Sequence, residues 1–159
     1  ITPLPSETAS GSDEEPVQQV KAQARPAQTK PAAGAQKPAS GLSEGDIWLM
    51  AQLIHAEGRG ESLEGQVAIG AVLLNRLRDR RFPNSLAGVI YEPGAFCTVR
   101  DGQINLTPNA KAVRAARLAA AGWDPTGGAL YFYNPARSTS AWIFTRPVLT
   151  RIGRHVFAG

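Results

Sequence analysis

The sequence predicts an α+β domain, mostly helical, with one or two minor β-hairpins. Three observations lead there. All 3 Trp, 3 Tyr and 5 Phe lie from Trp48 onward, so a tail of residues 1–41 precedes a folded part, residues 42–159. Apolar residues early in that part recur at helical spacing, with Ser or Pro at their starts. Short aromatic runs bounded by glycine then read as strands near the end.

The tail is rich in Pro, Ala, Gln, Ser and Gly, as in Ala27-Gln28-Thr29-Lys30-Pro31. Such a composition buries too little apolar area to offset its ordering entropy and reads as a disordered, semi-extended linker. Lys21, Arg25, Lys30 and Lys37 balance Glu7, Asp13, Glu14 and Glu15, so the net charge of +4 belongs to the domain. A basic domain suits a polyanion, and nucleic acid and wall polymers both qualify. The arginines are scattered, with no aromatic-interleaved signature of an RNA-binding module, which argues against nucleic acid. No run of about 20 apolar residues is present to span a membrane. Cys97 stands alone, which excludes an intramolecular disulfide and a thiolate metal cluster.

The first helix opens at Ser43, a cap with Asp46 three residues on. Ile47, Met50, Ala51 and Ile54 form one face, and Gly58 and Gly60 end the helix with Glu57 at its last turn. A second helix runs from near Ser62 to about Arg78, apolar enough to be central. Ser85 caps a short helix through Ile90. Asp101-Gly102 predicts a hairpin across Phe96–Ile104, with Cys97 in a strand. Thr107-Pro108 opens another helix, with Pro at the first helical position, ending at Gly122. Ala129–Asn134 and Trp142–Thr145 read as strands, and Gly153 precedes His155-Val156-Phe157.

Glu57 is the residue with the most chemical promise. A helix C-terminus disfavours a negative charge, and an apolar wall disfavours ionisation, so both raise a carboxyl pKa. A glutamic acid held protonated near neutral pH can protonate a glycosidic oxygen. The competing reading is a solvated helix end with Glu57 paired to Arg59. His55-Ala56-Glu57 has the H-x-E shape of zinc deaminases, but the P-C-x-x-C partner is missing. His55, His155 and Glu61 could be drawn together as a zinc site, yet no H-E-x-x-H supports it; no metal and no cofactor are expected. A Cys97–His155 nucleophile pair is weaker still. In an extended run Tyr131 and Tyr133 share one face and Phe132 the other. The tyrosines, Asn134, Trp142 and Phe144 could line a groove that stacks on sugars, although Phe132 and Phe144 read better as core.

Several strings then combine. His55-Ala56-Glu57-Gly58-Arg59-Gly60-Glu61, Glu64-Gly65-Gln66-Val67-Ala68 and Val72-Leu73-Leu74-Asn75-Arg76 resemble the spore cortex-lytic enzyme family of cell-wall hydrolases. The likeness continues in Phe82-Pro83-Asn84-Ser85, Val89-Ile90-Tyr91, Gly128–Pro135 and Gly153-Arg154-His155-Val156-Phe157. The resemblance implies a lysozyme-like fold and cleavage of the β-1,4 bond between N-acetylmuramic acid and N-acetylglucosamine. It implies a lytic transglycosylase route, in which one glutamic acid is acid and then base. Glu57 matches the family's catalytic glutamate. Gly58 stands where the family more often has Ala, which loosens the backbone there. Tyr131, Tyr133, Asn134, Trp142 and His155 become the candidates for substrate contact.

Family members often carry an N-terminal peptidoglycan-binding domain, to which the tail would connect. The implied partner is the peptidoglycan glycan strand, with room for accessory cortex proteins, and the implied setting is secreted, at the cell envelope or spore cortex. A paired-carboxylate glycosidase needs a second acid at about 5–9 Å, and Glu61 and Glu64 are the candidates. A transglycosylase needs none. A muramidase using water and a non-catalytic wall-binding module are the alternatives.

Overall fold

The computed structural model describes residues 41–159, so the expected linker, residues 1–41, lies outside the described residues except for Gly41. Among the described residues five α-helices come first: α1 (Glu44–Glu57), α2 (Leu63–Arg78), α3 (Leu86–Ile90), α4 (Cys97–Arg100) and α5 (Ala110–Ala120). Strands β1 (Tyr131–Tyr133), β2 (Val148–Ile152) and β3 (His155–Ala158) follow, ordered β1-β3-β2 and antiparallel throughout. The class is α+β and mostly helical, as the sequence predicts.

Local chemistry sets the helix starts. Ser43 and Asp46 form a reciprocal capping box at α1, Ser62 caps α2 through the Gly65 amide, and Ser85 caps α3 through Gly88. In α2 every residue from Gly65 to Arg76 is buried, so this is the central helix, flanked by α1 and α5. Close approach there rests on small side chains. A Cβ on Gly70 would lie 3.0 Å from Ala119 Cβ and 3.1 Å from Ile54 Cδ1, where the three helices converge.

Three expectations are corrected. No hairpin spans Phe96–Ile104: that stretch is α4 followed by a 3-10 turn, Gln103–Asn105. Gly102 does take a left-handed φ of 88°, but Asp101 stays at φ −90°, which a type I′ hairpin turn does not allow. The pair instead ends α4, and Cys97 is helical. Helix α5 begins at Ala110, because the Asn109 side chain caps the Ala112 amide and leaves Pro108 outside. Trp142–Thr145 holds a 3-10 turn over Ile143–Thr145, closed by the Thr145 hydroxyl on the Trp142 carbonyl. The partner of β3 in the hairpin is β2, a strand the sequence reading left unassigned.

The sheet is tied to α2 by a buried polar cluster. Asp124, 3% exposed, accepts from Asn75 Nδ2, the Thr126 amide, the Thr126 hydroxyl and the Gly128 amide, all within 3.0 Å. Asn75 Nδ2 also donates to the Ala129 carbonyl, just before β1. A buried carboxylate is tolerated only with such partners. Asp124→Ala should therefore lose about 3–5 kcal/mol of stability in urea denaturation. A loss below about 1 kcal/mol would mean the cluster does not hold the sheet in place.

Candidate active site

Glu57 is the last residue of α1, and Gly58 closes the helix with its amide on the Ile54 carbonyl. The Thr98 hydroxyl, on α4, donates to Glu57 Oε2 at 2.7 Å. Burial pushes the Glu57 carboxyl up to about 7, and the Asp101 charge adds to this. Hydrogen bonds from the Thr98 hydroxyl and amide, and the Arg137 charge, pull the other way. The residue as a whole remains partly exposed, so a ligand can reach it. Arg59, the expected ion partner, points to Gln103 Oε1 at 3.5 Å.

The two candidates for a second acid sit in different surroundings. Glu61, 4% exposed, accepts from Arg154 Nε at 3.0 Å and has its own carbonyl held by Lys111 Nζ. Its Oε1 lies against Gly153, φ +59°, where a Cβ would come within 2.0 Å. Glu61 thus latches the loop after Glu57 to the tip of the β2–β3 hairpin. Glu64 is exposed in the first turn of α2. Asp101 is exposed, and its two oxygens accept from the Gln103 amide and side chain.

The other sequence candidates fall in two groups. Tyr131 packs edge-on to Trp142 at 5.3 Å between ring centres, and Tyr133 edge-on to Phe144 at 5.4 Å. Trp142 and Phe144 are about half exposed, which corrects the expectation of a core Phe144, whereas Phe132 is core. Asn134 and His155 sit differently. Asn134 Oδ1 accepts the Ala136 amide, and its carbonyl accepts those of Arg137 and Ser138, so it builds the turn that carries Arg137. His155 is buried edge-on to Phe132, with Nδ1 3.6 Å from Glu61 Oε2. Burial brings it down to about 4 despite the Glu61 charge, so it is neutral at neutral pH.

His55 accepts weakly from the Asn109 amide, and among the described residues no three His, Cys, Asp or Glu side chains gather as a metal site. Sequence reasoning missed Thr98, Arg76 and Arg137. Arg76, 3% exposed, donates from Nε to the Leu130 carbonyl at 2.7 Å, and its guanidinium lies 5.2–5.4 Å from the Phe82, Phe96 and Tyr131 rings. Burial lowers it from 12.5 to about 10, so it stays cationic at neutral pH, within electrostatic reach of Glu57. Its place on the buried face of α2, beside aromatic runs, is the signal that could have found it.

Fold and site together define a small lysozyme-like domain built around one shielded glutamic acid. It is similar to the catalytic domain of the germination-specific lytic transglycosylase SleB from Bacillus anthracis, at 52% identity and a TM-score of 0.72, over 76% of this chain and 98% of that one. The catalytic domain of the Bacillus cereus SleB protein gives 51% and 0.72, over 80% of this chain and 100% of that one. The chain belongs to the Cell Wall Hydrolase family, which it matches over residues 60–158. Glu57 lies three residues before that stretch. Spore cortex-lytic enzymes of Bacillus cereus and Bacillus subtilis are 54% and 56% identical over 74% of this chain. This chain covers 46% and 38% of their lengths, less than half of each.

The two shifted groups give opposite pH dependences. Glu57, raised from 4.5 to about 7, favours the folded state while protonated, and that contribution is lost as pH rises through about 7. His155, lowered from 6.5 to about 4, favours the folded state while neutral, and its contribution is lost as pH falls through about 4. Between those limits the slopes, each about 1.4 kcal/mol per pH unit, oppose one another. Glu57→Gln should leave stability unchanged near pH 4 and raise it by up to about 3 kcal/mol above pH 7. Thermal melts of both proteins across that range would read the difference, and equal curves would contradict the shielding of Glu57.

Proposed function

We propose that this domain cleaves peptidoglycan glycan strands between N-acetylmuramic acid and N-acetylglucosamine, as a lytic transglycosylase of the spore cortex with Glu57 as its catalytic residue. The observation that carries the reading is a carboxyl poised near neutrality, whereas Glu61 is committed to Arg154 and Glu64 is exposed to solvent. The names of the similar proteins point to the same substrate and outcome. Glu57 donates its proton to the leaving glycosidic oxygen as positive charge grows at the anomeric carbon. The new carboxylate then takes the proton of the muramyl 6-hydroxyl, whose oxygen closes on that carbon. The products are a free 4-hydroxyl on one fragment and a 1,6-anhydro ring on the other, with Glu57 protonated again.

Trp142 and Phe144, about half exposed and packed on the partly exposed Tyr131 and the buried Tyr133, offer apolar edges and ring faces to sugar rings, which supports a strand-binding wall. A domain of net basic charge suits a wall polymer carrying free carboxylates. The substrate lies outside the cytoplasmic membrane, so the setting is extracytoplasmic, at the envelope or cortex, where accessory cortex proteins are candidate partners.

Digests of cortex peptidoglycan should contain muropeptides lighter by one water than their reducing-end counterparts in mass spectra. Reducing ends alone would reassign the site to a muramidase. Glu57→Gln should cut release of soluble fragments by at least about 100-fold while the protein still sediments with sacculi. Release at the normal rate would remove Glu57 from the chemistry. Trp142→Ala should weaken binding about tenfold, some 1.4 kcal/mol, with turnover at saturating substrate largely kept. Unaltered binding would place Trp142 off the strand path.

A further inference from the structure

We infer that Thr98 is the positioning residue for Glu57, its hydroxyl donating to Oε2 so that the proton to be delivered sits on the opposite oxygen, Oε1. The inference rests on the reading of Glu57 as the acid. Thr98 is buried, and it is the fully buried residue of the single-turn helix α4. A helical threonine ordinarily returns its hydroxyl to a carbonyl three or four residues back. Here the hydroxyl reaches across 41 positions in sequence to Glu57 Oε2 at 2.7 Å, and the Thr98 amide acts on the same carboxyl. With the Thr98 hydroxyl donating to it, Oε2 is the accepting oxygen of the carboxyl. Oε1 is then the oxygen that carries the hydrogen in the acid form.

This arrangement matters for the second half of the reaction. Shielding alone favours the protonated acid and opposes the carboxylate that must accept a proton from the sugar hydroxyl. The Thr98 donors strengthen as charge appears on the carboxylate, so they favour the state that shielding disfavours. The helix is held for this purpose by its ends. The Asp101 amide closes on the Cys97 carbonyl, and the Asp101 carboxylate starts the next turn on the Gln103 amide. Thr98 therefore sets how far the Glu57 acid is biased and where its hydrogen points, without touching substrate itself.

Two measurements on Thr98→Val, Thr98→Ser and Glu57→Gln test this. The first is a carbon-13 NMR titration of the labelled glutamate carboxyls, with Glu57→Gln assigning the Glu57 signal. Thr98→Val should move the Glu57 midpoint upward by about one pH unit, and Thr98→Ser should restore it. The second is the rate of muropeptide release against pH. Thr98→Val should shift the alkaline limb upward by the same amount and lower the maximum about tenfold, with Thr98→Ser close to the parent. An unmoved Glu57 midpoint in Thr98→Val, or a serine variant no different from valine, overturns the inference. A moved midpoint with Glu57→Gln still active would instead leave Thr98 as positioned and remove Glu57 as the acid.

Discussion

A carboxyl group stays protonated near neutral pH only where water is kept from it, and the domain is organised to do this at one end of α1. The helix is rooted by its capping box and by an apolar face that meets α2 and α5. Its far end, Glu57, is enclosed by α4 on one side and by the loop that leads into α2 on the other. Enclosure costs folding free energy, because the charged form of a shielded carboxyl is disfavoured. On the proposed reading, the cost falls at the residue that delivers the proton. Natural sites commonly give up stability at such a residue for the sake of function.

Two glutamates four positions apart show how environment, not residue type, assigns the role. Glu61 is also buried, yet a guanidinium, a histidine and a hairpin backbone surround its carboxylate. Its task is to hold the loop after Glu57 against the β2–β3 tip, where Gly153 supplies room for the oxygen. Glu57 receives only neutral donors, from Thr98, while its charged neighbours act at a distance and with opposite signs. A directly paired cation would pull the carboxyl low and remove the acid. The buried cation nearby, Arg76, is instead fixed by the Leu130 carbonyl and faced with aromatic rings, which keeps it from serving as that partner.

The parts legible in the sequence are those decided by neighbours along the chain. Serine caps, helical spacing in α1 and α2, and the glycine that ends α1 all act over four residues or fewer, and each lies where the pattern puts it. Glu57 was visible through the same local logic, as an acid at a helix end. Asp101-Gly102 carries a hairpin signal, but here the Asp101 amide closes on the Cys97 carbonyl and the pair ends a helix. The Trp142–Thr145 run has strand composition, yet a threonine hydroxyl and the following Arg146-Pro147 turn it into a 3-10 segment. Thr98 and Arg137 act on Glu57 from 41 and 80 positions away, which no local pattern records, whereas Arg76 was signalled by its place on the buried face of α2. His155, a candidate substrate contact, lies buried with its ring edge-on to Phe132.

Gly58 joins these threads. Glycine in place of alanine is expected, from the sequence, to loosen the backbone. The packing points the other way. A Cβ at position 58 would sit 2.9 Å from Ile69 Cδ1, 3.0 Å from the Ile54 carbonyl oxygen and 3.2 Å from Gln66 Cγ. The same residue's carbonyl accepts Gln66 Nε2 at 2.9 Å, a buried bond that ties the end of α1 to α2. Glycine's freedom matters little when the neighbours leave no space for motion. The absent side chain lets α2 press directly on the residue after Glu57, so the helix end is fixed by contact and not freed by the lack of one. A proton donor must be held to within fractions of an ångström of its target, and a backbone clamped at the next residue is a direct way to achieve that.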